Sequence, residues 1–189
     1  MFISKYRKAG KKMSTCVFTK DEHVIYASNG ICTVEDVKKM SFIKGEPEKI
    51  YYILRPKNDK NSTIYIPGDN DILLSRMRAP ITLGELESIV KATEASECEW
   101  IEDRKQRNLA FKENLANPHP ATLLPIVKII LKKNVELREN GKKLSAADRD
   151  TFETAVRFIK DEFSFLLDGN NEKAEEYIKK AIGGILNIA

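Results

Sequence analysis

The sequence predicts an α+β protein, all-β then all-α: a small SH3/Tudor-like antiparallel barrel followed by a compact helical domain of about five helices. Three observations predict it. Before Pro80 the apolar residues come in short, β-branched and aromatic runs broken by turn residues. After Pro80 they recur at helical spacing. Between the two, "ITLGELESIV" carries a complete helix-start signature, with Thr82 as N-cap, Glu85 three residues on, and Ile81 and Leu86 placed as a hydrophobic staple.

The strands come first. "EHVIYAS" and "GICTVEDV" flank Asn29-Gly30, a dipeptide that accepts positive φ at both positions and so predicts a tight hairpin. "EKIYYILRP" and "STIYIPG" follow, joined by the polar loop "KNDKN", while "FIKGEPEK" supplies another turn. Pro56 and Pro67 suit strand ends, where no ladder donor is needed. Four or five short strands in some 60 residues fit a small twisted barrel, with Tyr26, Tyr52 and Leu54 in its core.

The helices follow in order. A second one is expected over about Glu97–Ala116, ending before "NPHP". A third is expected over Thr122–Glu139, with Pro125 in its first turn and Leu123, Ile126, Val127, Ile130 and Leu131 on its apolar face. "NGKK" ends it. A fourth starts at the N-cap Ser145, with Asp148 supporting the first turn and Phe152, Val156, Ile159 and Phe163 on one face. A short helix over Asn171–Ile182 packs beside it. The expected boundaries are a basic, disordered leader at 1–15, the barrel at 16–78 and the helical domain at 79–189.

Composition narrows the function classes. The 189 residues carry a formal charge of +4, yet Lys5, Arg7, Lys8, Lys11 and Lys12 precede Met13. Those five cations exceed the whole balance by one, so the remainder is slightly acidic, at −1. The pI of about 8.8 therefore reflects the leader. A nucleic-acid surface must come from local clustering. No apolar run reaches membrane-span length, and the start lacks a secretory core segment. Three scattered cysteines suit a reducing cytoplasm, with Cys32 as a small buried hydrophobe. The two histidines lie far apart, and there is no phosphate loop, dinucleotide fingerprint or nucleophile elbow. The expectation is a protein that is not an enzyme, with no cofactor, no metal and no small-molecule substrate.

The single tryptophan, in "ECEWIEDRKQRN", poses the open question. Trp100 either packs between helices or against the barrel, or it is held outward to press on a partner. Arg104, Lys105 and Arg107 lie close by, as do Glu97, Glu99, Glu102 and Asp103.

"HVIYASNGICTVEDV", "YYILRPKNDKNSTIYIPGDN" and "MRAPIT", followed by "WIEDRKQRNLAFKENL" and "GKKLSAADRDTFETAVRFIKDEFSFLL", resemble the CarD/CdnL family of bacterial transcription regulators over about residues 16–168. The resemblance implies a barrel that binds the RNA polymerase β subunit along a strand edge. It implies a helical domain that reaches promoter DNA at the edge of the melted region and stabilises the open complex without strong sequence readout. For polymerase it points to Met40, Phe42 and Tyr65. For DNA it points to Trp100 as a minor-groove wedge, with Arg104, Arg107, Lys112 and Arg149 on phosphates; Lys128, Lys132, Lys133, Lys142 and Lys143 add cations behind them. Several positions depart from the family pattern, beginning with Asp21-Glu22 where the family usually has Gly-Asp before the first strand. Met40 and Tyr65 stand where relatives can carry basic residues, and Trp100 lies eleven residues before Phe111 where some relatives place the tryptophan four before the matching aromatic. The alternative is a protein-interaction adaptor that binds polymerase or another protein and leaves DNA untouched.

Overall fold

A computed structural model describes residues 18–184; the leader, Cys16 at the expected barrel start, and residues 185–189 lie outside the described residues. The N-terminal part is one antiparallel sheet of five strands: β1 (His23–Tyr26), β2 (Ile31–Met40), β3 (Lys49–Pro56), β4 (Ile64–Pro67) and β5 (Met77–Arg78). Their order is β4-β3-β2-β1-β5, so the sheet is curled and open rather than closed. A one-turn helix, α1 (Asp71–Leu74), capped by Asn70, separates β4 from β5. Alternation along β3 and β4 sends Tyr52, Leu54 and Ile66 inward. They join Val24, Tyr26, Cys32, Val34 and Met77 in a small apolar core. Burial pushes the Cys32 thiol up to about 11, so it stays a neutral hydrophobe.

The β1–β2 connection is longer than the dipeptide Asn29-Gly30 predicts. Ala27–Asn29 forms a single 3-10 turn, and the positive φ values fall on Ala27 (44°) and Gly30 (68°). The register explains this: Ile25 pairs with Ile31 and Tyr26 donates to Gly30, leaving a wider loop than a two-residue turn spans. The β2–β3 ladder slips one residue between Val34 and Asp36, a bulge at Glu35. Pro56 and Pro67 close their strands as expected.

Five helices follow: α2 (Leu83–Ala95), α3 (Arg104–Ala116), α4 (Pro120–Glu139), α5 (Ala146–Leu166) and α6 (Asn171–Ile182). The capping box at α2 is complete, with Glu85 accepting from Thr82 N at 2.7 Å and Thr82 accepting from Glu85 N. Ile81 and Leu86 are both buried in the helical core. Two expectations need correction. Helix α3 begins at Arg104 rather than near Glu97, because Asp103 caps it by accepting from Gln106 N at 2.8 Å. Residues 96–103, with Trp100 among them, form an irregular crossing. Helix α4 begins two residues earlier than expected, with His119 as N-cap and Pro120 in the first position. Pro125 therefore sits beyond the first turn, where its ring deprives the Ala121 carbonyl of an intrahelical donor.

The helical core gathers Val90, Phe111, Leu123, Val127, Ile130, Phe152, Ile159, Phe163 and Ile178. The changeover between the two cores falls between Met77, which faces the sheet, and Ile81, which faces the helices. Among the described residues no helix is long and apolar enough to cross a membrane.

Candidate protein and nucleic-acid interfaces

Sheet alternation that buries Tyr52, Leu54 and Ile66 turns Tyr51, Ile53, Tyr65 and Pro67 to the opposite face. Tyr51 pairs with Pro67 and Ile53 with Tyr65. Phe42, just beyond the end of β2, packs its ring edge-on against both Tyr51 (5.1 Å between centroids) and Tyr65 (5.2 Å). Yet Phe42 remains 58% exposed and Tyr65 44% exposed, with Ile43 exposed beside them. Met40, half-buried, ends β2 opposite Lys49. The structure thus brings together two of the three residues expected to touch a protein partner and places the third two residues away. It adds Tyr51 and Ile43, which sequence reasoning missed. The patch adjoins β4, a sheet edge with free ladder positions on its outer side. Clustered, half-exposed aromatics at a strand edge suit a protein partner.

On the helical side the expected residues divide. Arg107 is 6% exposed, and Asp148 is 2% exposed. The guanidinium donates through Nε to Asp148 Oδ1 (2.9 Å) and through Nη2 to Oδ2 (3.2 Å). Its Nη1 donates to the carbonyls of Ile101 (2.7 Å) and Glu102 (3.2 Å). Its donors are nearly all spent inside the fold, so the expectation of a phosphate contact does not match its place. Ser145 Oγ donates to Asp148 as well, completing the anion's partners.

Trp100 is half-buried on the helical core. The Arg107 guanidinium carbon lies 4.2 Å from its ring centroid, and Lys133 Nζ lies at 5.8 Å. Phe111 meets it edge-on at 6.4 Å. A wedge needs a free ring face; here a cation covers the indole and a helix backs it. The structure therefore gives the tryptophan a packing place, and the sequence expectation of an outward wedge is not matched by it. Lys128 is also engaged, donating to the carbonyls of Thr93 (2.7 Å), Glu94 (2.9 Å) and Ser96 (2.9 Å) at the end of α2. Lys133 pairs with Glu102 and Glu136.

The remaining cations are exposed. Arg104 and Lys112 lie on the outer face of α3 with Asn108 between them at helical spacing, and Lys105 and Leu109 stand alongside. Leu109 is 61% exposed, an apolar side chain set among cations. Arg149 is exposed in the first turn of α5, next in sequence to the buried Asp148. The Arg107–Asp148 pair joins the first turns of α3 and α5, and so groups Arg104 and Arg149 on neighbouring turns. Leu109 escaped sequence reasoning because its exposure depends on which face of α3 packs on α5.

The two parts of the chain meet along α5, at Pro118, and where α3 lies against the Ala27–Asn29 turn. Arg78, the last residue of β5, donates from Nη1 and Nη2 to the two oxygens of Glu162 at 2.6 and 2.7 Å. It also reaches the Pro118 carbonyl at 2.8 Å, and Ile81 N donates to the same carboxylate at 3.0 Å. Glu162 is 3% exposed. Asn58 donates to Asp161, while His23 and Lys57 both pack on the Phe165 ring. Sequence offered one sign of this: Glu162 falls on the apolar face of α5, three residues after Ile159.

No curated protein matches the chain in sequence. A protein-family model, the CarD-like/TRCF RID domain, matches residues 18–78, about a third of the chain. The matched segment coincides with the curled sheet and ends on Arg78, the residue that anchors it to α5. Domains of that family interact with the RNA polymerase β subunit. Residues 18–78, with their exposed aromatic patch beside an open strand edge, therefore belong to the CarD-like/TRCF RID domain family.

Proposed function

We propose that this protein is a transcription regulator that docks on the RNA polymerase β subunit through its sheet and stabilises the promoter open complex through weak, largely non-sequence-specific DNA contacts of its helices. The observation that carries this reading is the family match over residues 18–78 together with the exposed Phe42–Tyr65 pair on the same sheet. A partner strand adds to the β4 edge, and Phe42, Tyr65, Tyr51 and Met40 supply the apolar contact. On the DNA side, Arg104, Lys105, Lys112 and Arg149 hold phosphates, and Leu109 is the apolar side chain among them. Trp100 and Arg107, expected from the resemblance to face DNA, act from inside by fixing the start of α3.

A near-neutral body suits this mechanism. Polymerase binding raises the effective concentration of a weak DNA contact, so strong free affinity is not required. The protein alone should bind DNA poorly and with steep salt dependence. Tight binding that ignores salt would count against the reading.

The test is promoter opening by purified polymerase with wild-type protein, a Phe42→Ala/Tyr65→Ala variant and an Arg104→Ala/Lys112→Ala variant. The first variant should lose polymerase in a pull-down and lose the promoter effect. The second should keep polymerase and lose the effect. A second reading, a protein adaptor that leaves DNA untouched, is favoured by the exposed carboxylates Glu97, Glu99 and Glu102 near Trp100. It takes over if the Arg104/Lys112 variant matches wild type and no crosslink to DNA forms from α3.

A further inference from the structure

Two of the buried acids of this fold, Asp148 and Glu162, lie on the same helix. Asp148, in the first turn of α5, holds Arg107 of α3. Glu162, near the other end, holds Arg78 of β5 and the backbone of Ile81. The two carboxylates are separated by about 21 Å along the helix axis, at 1.5 Å per residue. Beyond Glu162 the same end of α5 carries Asp161, which accepts from Asn58, and Phe165, which seats His23 and Lys57. The sheet and its β3–β4 loop thus touch α5 through four residues: His23, Lys57, Asn58 and Arg78. The start of α3 is fixed to the opposite end through the buried Arg107, and α3 also lies against the Ala27–Asn29 turn between β1 and β2.

Buried carboxylates of this kind are costly to place and gain from geometry. Each accepts both oxygens' worth of donors from one guanidinium, a fork that fixes direction as well as distance. A linker of Ala79 and Pro80 joins the sheet to the helical part; it leaves few free backbone torsions, and the contacts above hold them.

We infer that α5 is a rigid beam that sets the distance and angle between the aromatic patch on the sheet and the cationic face of α3, and that Glu162 and Arg78 are positioning residues for that geometry. Neither touches polymerase or DNA. The functional consequence rests on the reading proposed above; the beam itself does not.

The test places nitroxide labels at Lys44, in the loop beside Phe42, and at Glu113 on α3, in the full chain with its native cysteines replaced by alanine. Pulsed electron–electron resonance then reads the distance distribution. The parent should give one narrow distribution. Glu162→Ala should broaden or shift it while circular dichroism keeps the helix and strand signal. Arg78→Leu, in a side chain that is partly exposed, should do the same and carries the test if Glu162→Ala does not fold. A distribution unchanged in Arg78→Leu overturns the inference.

The second arm separates the beam from the proposed function. Arg78→Leu should bind polymerase as the parent does and lose at least several-fold of the open-complex effect. If the parent itself fails to bind polymerase, the functional reading falls and the distance data alone decide on the beam. If Arg78→Leu broadens the distribution yet keeps the full promoter effect, the positioning role is overturned.

Discussion

At the scale of single residues, Trp100 shows how environment decides what an indole does. Its ring lies under a guanidinium that is itself held by a buried carboxylate, and Phe111 supports its edge. Trp100→Ala should therefore act on stability. A cost of about 2–3 kcal/mol is expected, below the value for a fully buried tryptophan because the ring is only half-buried. Urea denaturation followed by circular dichroism measures it. If the variant is as stable as wild type and loses only the promoter effect, the indole works on an outside surface after all. Asp148→Ala should be more damaging, by about 3–5 kcal/mol, because it leaves the Arg107 charge buried without a partner; the same denaturation series reads it. His119 makes stability depend on pH just below neutrality. Its Nδ1 accepts from Ala121 N, so the cap needs the neutral ring. Burial, and next the Arg78 charge, hold its pKa below the ordinary imidazole value. The unfolded chain then binds more protons than the native one just below about pH 6.5. The stabilisation is complete above that value and is lost as pH falls through the lower native pKa. The melting temperature of wild type should drop between pH 7 and pH 5.5, and His119→Asn, which can still cap, should show a shallower drop.

At the scale of elements, the start of α3 is where local signals and tertiary contacts part. Periodicity alone allows a helix from Glu97, and the sequence expectation began there. Asp103 and the contacts of Arg107 with the Ile101 and Glu102 carbonyls stop it at Arg104. Packing of α3 on α5, through the Arg107–Asp148 pair, decides that Arg104, Lys112 and Leu109 face outward while Arg107 and Phe111 face inward. Charge reversal on the outer face, Arg104→Glu with Lys112→Glu, should leave the melting temperature within about a degree or two, as surface changes away from packed contacts do. In the presence of polymerase it should abolish the promoter effect. By contrast, α2 was legible from its first residues. Thr82, Glu85 and the Ile81/Leu86 pair are local in sequence, and each took its expected place. Thr82→Ala should remove about 1 kcal/mol, measured by denaturant midpoint.

At the scale of the whole molecule, the sheet and the helices are joined by long-range contacts, on α5, at Pro118 and between α3 and the Ala27–Asn29 turn, as well as by the short linker between them. Glu162 lies 3% exposed under Arg78, and that contact was invisible in the sequence because its partners are 84 residues apart. The same holds for the aromatic patch. Phe42 and Tyr65 were each expected to meet a protein partner, but their edge-on packing, with Tyr51 as a third ring, depends on the β2–β3–β4 ladder. A Tyr51→Ala change should weaken capture of polymerase even though nothing in the sequence marked this residue; binding equal to wild type would confine the contact to Phe42 and Tyr65.

Short-range physics accounts for the features legible in the residues alone: the order of strands then helices, the caps at Thr82 and Ser145, the prolines at strand ends, and the apolar faces of α4 and α5. These depend on neighbours within a turn or a strand pair, where residue type is enough. Which charges are free depends instead on how distant segments pack. Arg104 and Arg107 are three residues apart and alike in composition. One is exposed and the other is closed in by Asp148, 41 residues away. A guanidinium can bind a phosphate only if the fold has not already supplied its carboxylate, and that depends on long-range packing, which no local pattern encodes.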